Sequence, residues 1–173
     1  VEEQFVKVLA SAHHKRIDYP QPRHLTVAPG TGAPSPRRSA EGCAVLEIAI
    51  DLGRFPTAPA TLLERAVRTV FEAEGVGEGE LSLALLEDAA MRSLNRDHLG
   101  HDGPTDVLAF ALHGAGEPVL GDVYVGAAQA RRQAADEGVD ETEELVRLAV
   151  HGTLHVLGWD HPHEAEERMV SPM

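Results

Sequence analysis

Three histidines near the end of the sequence have the types and spacing of metal ligands. His151 and His155 lie four residues apart, so in a helix both imidazoles leave the same face one turn apart. Gly158 follows where a helix can end, because only glycine adopts the left-handed C-cap conformation without steric cost, and the turn can return His161 to the same ion. Three imidazoles with a fourth position left to water are typical of a catalytic zinc. The pattern predicts a hydrolytic site with one metal ion per chain, for which we expect zinc, although three histidines also bind nickel or copper.

The spacing of these ligands also occurs in zinc peptidases, but the catalytic carboxylate of those enzymes is absent. The run His-x3-His-x5-His, with a glycine three residues after the second histidine, matches the metzincin signature. Gly152 occupies the position of the glutamate that acts as general base in zinc peptidases. A zinc peptidase therefore stays an alternative, although it would lack its base.

Three sequence motifs follow one another in a fixed order along the chain. The first motif combines Leu-Asn-Arg at 94–96 with Asp-Gly-Pro-Thr-Asp-Val-Leu-Ala-Phe at 102–110, and the second, Leu-Gly-Asp-Val, follows at 120–123. The last motif is His-Gly-x-Leu-His-x-x-Gly-x-Asp-His at 151–161. In this order they resemble the YbeY family, the bacterial rRNA-maturation endoribonucleases that carry a single zinc. The resemblance covers about residues 45–170 and does not include the first forty.

The resemblance implies a fold, an activity and partners. It implies an α+β domain of about four strands at 45–173, with the zinc-binding histidines on and just after the last long helix. It also implies a single-strand-specific, metal-dependent endoribonuclease that acts in rRNA processing, at the 3′ end of 16S rRNA, and in ribosome quality control. The implied partners are an rRNA precursor and the ribosome or its proteins, with no DNA and no membrane.

The chain around the motifs alternates short aliphatic runs with amphipathic stretches. The predicted strands, bounded by turn-forming residues, are 44–50, 80–86, 107–112 and 119–125. The predicted helices, with apolar residues at three-and-four spacing, are 57–75, 88–97, 127–137 and a last one that begins near Thr142 and ends at Gly158. This alternation predicts one small mixed sheet packed with helices, the last of which carries the histidines.

Length and composition are typical of one soluble domain, preceded by a segment rich in proline and glycine. The 173 residues are 43% apolar, which is ordinary for a protein with a sizeable core. Prolines and glycines interrupt residues 1–44, so we predict a poorly structured N-terminal extension there and the hydrolase domain at 45–173. No run approaches about 18 apolar residues, and Cys43 is the only cysteine, so we expect a cytoplasmic protein without an intrachain disulfide.

One position departs from the family pattern where substrate is expected to bind. Members of the family generally carry an arginine four residues after the asparagine of the first motif, where it is thought to meet the scissile phosphate, but this chain has Leu99 there. Leucine cannot offset the charge of a phosphoryl group. Arg96, about one helical turn away, is therefore a candidate catalytic residue. Asp160, next to His161, is a second candidate, for proton transfer near the metal.

Aspartates in the motifs have two interpretations that the sequence leaves open. Thr105 and Asp106 precede a predicted strand, where side chains of these types often stabilise a turn through backbone hydrogen bonds. Alternatively they orient the metal ligands, since zinc-bound histidines usually donate their second N–H to a carboxylate or carbonyl. The same two interpretations apply to Asp122.

The charge of the chain is unusual for a protein that holds RNA. The sequence has 15 basic and 28 acidic residues, a net charge of −13, whereas phosphate contacts require a basic face. The candidate basic pairs are Arg65 with Arg68, Arg92 with Arg96, and Arg131 with Arg132. The acidic balance favours RNA presented by another protein. Together with Leu99, it also keeps open a non-catalytic, ribosome-associated factor that retains its metal site.

Overall fold

The structure, a computed structural model, describes residues 45–159, which contain four strands and four helices. The strands are β1 (Leu46–Asp51), β2 (Gly79–Leu86), β3 (Val107–Ala111) and β4 (Val119–Gly126). The helices are α1 (Ala60–Ala73), α2 (Asp88–Leu99), α3 (Ala127–Glu137) and α4 (Glu141–Val156). Each predicted strand and helix is confirmed, with small shifts at its ends. The predicted extension at 1–44 lies outside the described residues, so the domain boundary stays a prediction.

The four strands form one mixed sheet in the order β1-β2-β4-β3. β1 pairs in parallel with β2, and β2 pairs in parallel with β4. β3 pairs antiparallel with β4, so β1 and β3 form the two edges of the sheet. The predicted α+β fold with a small mixed sheet is therefore confirmed.

One face of the sheet carries most of the hydrophobic core. Leu81, Leu83 and Leu85 of β2 alternate with more exposed residues and pack with Val123 and Val125 of β4. Helices α1 and α4 cover this face side by side, and burying each large aliphatic side chain stabilises the fold by about 1.5–3 kcal/mol. None of the helices within residues 45–159 is long and apolar enough to cross a bilayer.

Helix α4 approaches the sheet unusually closely because glycines stand at the contact. A Cβ at Gly152 would lie 2.5 Å from Cγ1 of Val123 and 2.9 Å from Cγ2 of Val107. At Gly121 on β4, a Cβ would clash with the side chain of Val156 at the end of α4. Any side chain at either glycine would push the helix off the strands.

The opposite face of the sheet is only partly covered. Helix α2 crosses part of it, with Met91 fully buried against the carboxyl end of β4. Asp122 and Tyr124 project on this side, since neighbouring residues of a strand point to opposite faces and Val123 faces α4. Asp122 and the histidine-bearing helix α4 therefore lie on opposite faces of the sheet.

Candidate metal centre

Helix α4, which carries two of the predicted ligands, starts at a capping aspartate. The Asp140 carboxylate accepts a hydrogen bond from the backbone N–H of Thr142 at 2.8 Å. Hydrogen bonding to Thr142 lowers the pKa of Asp140 below its usual value. Thr142, predicted to open this helix, lies instead within its first turn. Acidic residues there complement the positive end of the helix dipole, so the start of α4 is strongly specified.

The same helix ends at the predicted glycine. Gly158 has a φ of +86°, and its N–H donates to the carbonyl of His155 at 3.0 Å. The N–H of Trp159 donates to the carbonyl of Leu154 at 3.0 Å, which completes a Schellman motif. The prediction that Gly158 ends the histidine-bearing helix is therefore confirmed.

Helix α4 brings the imidazoles of His151 and His155 together. Their Nε2 atoms lie 3.0 Å apart, and their ring planes meet at 83° with the ring centroids 4.5 Å apart. Two nitrogens that bind one tetrahedral zinc at 2.0–2.1 Å would lie about 3.3 Å apart. The pair therefore fits two positions around one ion with little adjustment. That the ion is zinc stays a prediction.

The third predicted ligand and one catalytic candidate lie outside the described residues. His161 and Asp160 both follow Trp159, the last residue that is described. Within residues 45–159, no group of three or more His, Cys, Asp or Glu side chains could hold a metal ion. A three-ligand site would therefore need a residue beyond this range, and the sequence offers His161 two positions further on.

The histidine pair projects from the side of α4 that is remote from helix α1. Val150 and Leu154 pack in the cluster that joins α4 to α1, and Gly152 faces the sheet. Viewed down the helix, His151 and His155 follow Val150 by about 100° and 140°. Since α1 packs on β1 and α4 on β3 and β4, this side of α4 faces the β3 edge of the sheet. Both imidazoles are half-buried there.

Gly152, which stands where a zinc peptidase has its general base, faces the sheet. In a zinc peptidase the residue after the first histidine is the general base. Here position 152 points at Val107 and Val123, away from solvent. A packing requirement thus accounts for the glycine, and the geometry gives the peptidase alternative no support.

Asn95 of the first motif fixes the loop that follows helix α2. Its side chain is buried, and the amide Nδ2 donates to the carbonyl of Gly103 at 2.8 Å. Helix α2 ends at Leu99, and Gly100 caps it in the left-handed conformation with a φ of +74°. The motif therefore ties the 100–106 loop to the end of the helix.

The side chain of Asp106 links the start of strand β3 to helix α3. One carboxylate oxygen accepts from the N–H of Val107 at 2.9 Å and from the hydroxyl of Thr105 at 3.2 Å. The other accepts from Nε2 of Gln133 on helix α3 at 3.1 Å. These contacts favour the turn-stabilising interpretation of Thr105 and Asp106 over the orientation of a metal ligand.

Asp122 lies on the opposite face of the sheet from helix α4. Its carboxylate accepts from the hydroxyl of Ser82 at 2.6 Å, and its charge acts on Tyr124, two residues further along β4. Burial, followed by the charge of Asp122, raises the pKa of Tyr124. Neither sequence interpretation of Asp122 describes this role, because its partners join β2 and β4 across the sheet rather than a turn or a histidine.

The candidate catalytic arginine, Arg96, lies in helix α2, about one turn from Leu99. Arg96 donates through Nε to Asp97 and through Nη2 to Ser93, both at 3.4 Å, and its side chain is largely exposed. Leu99, at the position of the family arginine, is 48% exposed. Arg96 is therefore available at the surface, and its catalytic role stays a prediction.

Other candidate arginines form ion pairs with carboxylates. Arg131 binds Glu141 through two hydrogen bonds of 2.9 and 3.0 Å, and Arg132 binds Asp88 with the same two distances. The hydrogen bonds that Arg131 donates to Glu141 raise the pKa of Arg131. Such bidentate pairs occupy donors that a phosphate would otherwise use.

An ion pair on helix α4 was not predicted from the sequence. Glu144 is only 1% exposed, and Arg147 donates to it through Nε at 2.8 Å and through Nη2 at 2.5 Å. This hydrogen bonding raises the pKa of Arg147, with smaller contributions from Glu137 and Asp106. The i,i+3 spacing of the two residues was the available signal. Arg147 lies one turn before His151, but three carboxylates surround its charge.

Comparisons with known proteins place most of this domain beside one family. A sequence model described as Endoribonuclease YbeY matches residues 54–172. Endoribonuclease YbeY of Geobacillus thermodenitrificans is 43% identical in an alignment of 120 residues that covers 62% of this chain and 77% of that protein. That of Pelotomaculum thermopropionicum is 45% identical over 118 residues, 63% and 77% of the two chains. A solution structure from Thermotoga maritima has 27% identity, covers 70% of this chain and 78% of its own, and has a TM-score of 0.48.

Proposed function

The chain belongs to the Endoribonuclease YbeY family, and from this premise we propose that it is a zinc-dependent endoribonuclease that hydrolyses RNA phosphodiesters. The observation that carries the proposal is the 3.0 Å separation of the Nε2 atoms of His151 and His155, within the span that the family matches. His161, two residues beyond the described range, is the third ligand in this proposal. The family name supports the RNA substrate, and the histidine geometry supports the metal.

The residues of α4 would hold the metal through neutral imidazoles. His151 and His155 would hold zinc there, and the ion would supply the Lewis acidity for hydrolysis of a phosphodiester. The helix fixes the first two ligands on one face, and Gly152 holds that helix against the sheet. The pair opens toward the β3 edge of the sheet.

The substrate that we propose is single-stranded rRNA precursor at the 3′ end of 16S rRNA, with a further role in ribosome quality control in the cytoplasm. An extended single strand can approach half-buried imidazoles at a sheet edge more easily than a duplex can. The net charge of −13 disfavours tight binding to naked RNA, so the ribosome or its proteins would present the substrate. Arg96 is the cation proposed to contact the phosphate, and Asp160 the residue proposed to move a proton.

Metal content and RNA cleavage test the proposal together. Protein purified without an affinity tag should contain about one zinc per chain and should cleave a single-stranded rRNA fragment. His155→Ala should lose both properties. His113→Ala is the matched control, because His113 lies in the turn after β3 and hydrogen-bonds the backbone of Leu120. Zinc and cleavage that persist together in His155→Ala would show that the assignment is wrong.

Leu99 favours a second candidate function. With a leucine at the position of the family arginine, the chain would be a non-catalytic, ribosome-associated factor that retains its metal. Stoichiometric zinc and ribosome binding without RNA cleavage would support this candidate. Leu99→Arg offers a direct comparison, since a gain of cleavage in that variant would show that only the phosphate contact is missing.

A further inference from the structure

Strand β3 forms an edge of the sheet, and within residues 45–159 it pairs with β4 alone. The carbonyl of Asp106 accepts a hydrogen bond from the N–H of Gly126 at 2.7 Å. At the other end of the strand, the N–H of Leu112 donates to the carbonyl of Leu120 at 2.8 Å. Positions bonded in this way recur at every second residue of an antiparallel ladder, so the backbone groups of the odd-numbered residues of β3 point away from β4.

The backbone groups of Ala109 and Ala111 leave this edge open. Before them, the N–H of Val107 donates to the carboxylate of Asp106 at 2.9 Å. The outward N–H groups of the two alanines have no such acceptor in the part of the chain that the structure describes. Exposed edges are commonly blocked by charged residues or proline, but β3 has the sequence Val-Leu-Ala-Phe-Ala. It therefore offers two N–H donors about 6.8 Å apart, with the carbonyl of Ala109 between them.

Helix α4 carries the histidine pair along this edge. At one end of the contact, Gly152 faces Val107. One turn later, Val156 faces Gly121, which pairs with Ala111 across the ladder. The helix thus advances alongside β3 in the same direction. The histidine pair, which faces this edge, therefore lies beside the open stretch of the strand.

We propose that the outward edge of β3 binds the backbone of an extended single strand of RNA, with the N–H groups of Ala109 and Ala111 donating to neighbouring phosphates. The inference rests on the proposed function, which makes RNA the substrate of the histidine pair. A nucleotide and a dipeptide have the same number of backbone bonds, so the phosphates of an extended strand recur at about the 6.8 Å spacing of the two donors. The carbonyl of Ala109 accepts from a ribose 2′-OH, a group that DNA lacks.

Uncharged donors suit a chain with this charge. Proteins usually hold RNA phosphates with lysine and arginine, but Arg131 and Arg132 here bind carboxylates. Backbone N–H groups at an edge without charged side chains bind phosphate without a basic patch. An extended peptide could also pair with such an edge. The nuclease family to which the chain belongs favours RNA as the occupant.

Proline at position 111 removes one of the two donors. Because this N–H points outward, Ala111→Pro should keep a Tm close to that of wild type. Its Kd for a single-stranded rRNA fragment, measured by fluorescence anisotropy, should rise about tenfold, the size expected for a lost hydrogen bond to a charged group. Ala111→Val, which keeps the N–H and suits a strand, is the matched control and should bind as wild type does. Leu112→Pro is the contrast, because its N–H bonds β4, and it should lower Tm.

A modified RNA makes the test specific for the phosphate contact. A methylphosphonate, which replaces one charged phosphate oxygen by a methyl group, is moved along the fragment. At one position it should weaken binding to wild type and to Ala111→Val about tenfold, but not to Ala111→Pro, which has already lost the donor. The absence of such a position, an unchanged Kd in Ala111→Pro, or a Tm as low as that of Leu112→Pro would overturn the inference. So would an uncharged extended peptide whose binding alone is lost in Ala111→Pro, which would assign the edge to a protein partner.

The outcomes separate this inference from the proposed function. If wild type binds the RNA, Ala111→Pro binds it more weakly and neither cleaves it, the nuclease proposal is wrong while the edge site stands. If wild type cleaves the RNA and Ala111→Pro cleaves it with the same KM, the edge site is wrong while the nuclease proposal stands. If wild type neither binds nor cleaves the RNA, both are wrong.

Discussion

Replacing Gly152 by alanine tests the close contact between helix α4 and the sheet. The new Cβ would stand 2.5 Å from Cγ1 of Val123 and 2.9 Å from Cγ2 of Val107, whereas non-bonded carbons rest at about 3.5–4.0 Å. The helix would therefore have to move away from the strands by roughly 1 Å. Both valines are β-branched and stiff at χ1, so rotation of their side chains relieves little of the clash.

Two opposing free-energy terms decide the size of the effect. Overpacking a well-filled interior costs about 1–3 kcal/mol. Alanine in place of glycine inside a helix recovers about 0.5–1 kcal/mol of conformational entropy. We expect a net loss of about 1–2 kcal/mol in the free energy of unfolding. For a domain of this size, that lowers Tm by roughly 4–8 °C.

A double-mutant cycle makes the test specific. Thermal unfolding is measured for Gly152→Ala, Val123→Ala and the double variant. Val123→Ala removes the nearer of the two methyl groups that the new Cβ meets, so the double variant should be more stable than the sum of the single changes predicts, by at least about 0.5 kcal/mol. A Gly152→Ala variant as stable as wild type, or additive effects in the cycle, would refute the close contact.

Three further outcomes are expected. Arg147→Ala leaves the buried Glu144 carboxylate without its ion pair and should lower the free energy of unfolding in urea by about 2 kcal/mol, less than the 3–5 typical of fully buried pairs because Arg147 is 41% exposed. The hydrogen bond from Arg132 lowers the pKa of Asp88 below 3.8, so this pair stabilises the folded state above that pH and its contribution disappears as the pH falls through the folded-state pKa. The stability difference between wild type and Asp88→Asn, measured by urea unfolding, should therefore shrink from neutral pH to acid, and a constant difference would contradict it. Zinc at 100 times its Kd should stabilise wild type by about 2.7 kcal/mol in a thermal melt and leave His155→Ala unchanged, while equal shifts would contradict the metal site.

The order of strands and helices could be predicted because each element satisfies a local rule. The alternation of β2, with Leu81, Leu83 and Leu85 turned to one side, is visible in the sequence, as is the three-and-four spacing of α1. The pairing order β1-β2-β4-β3 depends on contacts between strands far apart in the chain. The sequence therefore predicts one mixed sheet but not the order of its strands.

The same division applies to the site. His151 and His155 follow from the period of a helix, and Gly158 from the steric freedom of glycine, so both were predictable. The partners of Asp106 and Glu74 were not, because Gln133 and Trp159 lie on other elements. The face on which Asp122 lies could be predicted from strand alternation. Val123 is a core residue by type, so strand alternation puts Asp122 on the face away from α4.

Electrostatics then bear on how the site would meet its substrate. Arg131, Arg132 and Arg147 each bind a carboxylate through two hydrogen bonds, so a phosphate would have to displace an existing partner to use their donors fully. The net charge of −13 repels free RNA, although salt limits this repulsion to about 8 Å at physiological ionic strength. Affinity for RNA would then arise at short range, from the metal and few side chains such as Arg96. A nuclease with so little attraction of its own would cut where another body holds the strand against it, so selectivity would rest with whatever presents the RNA.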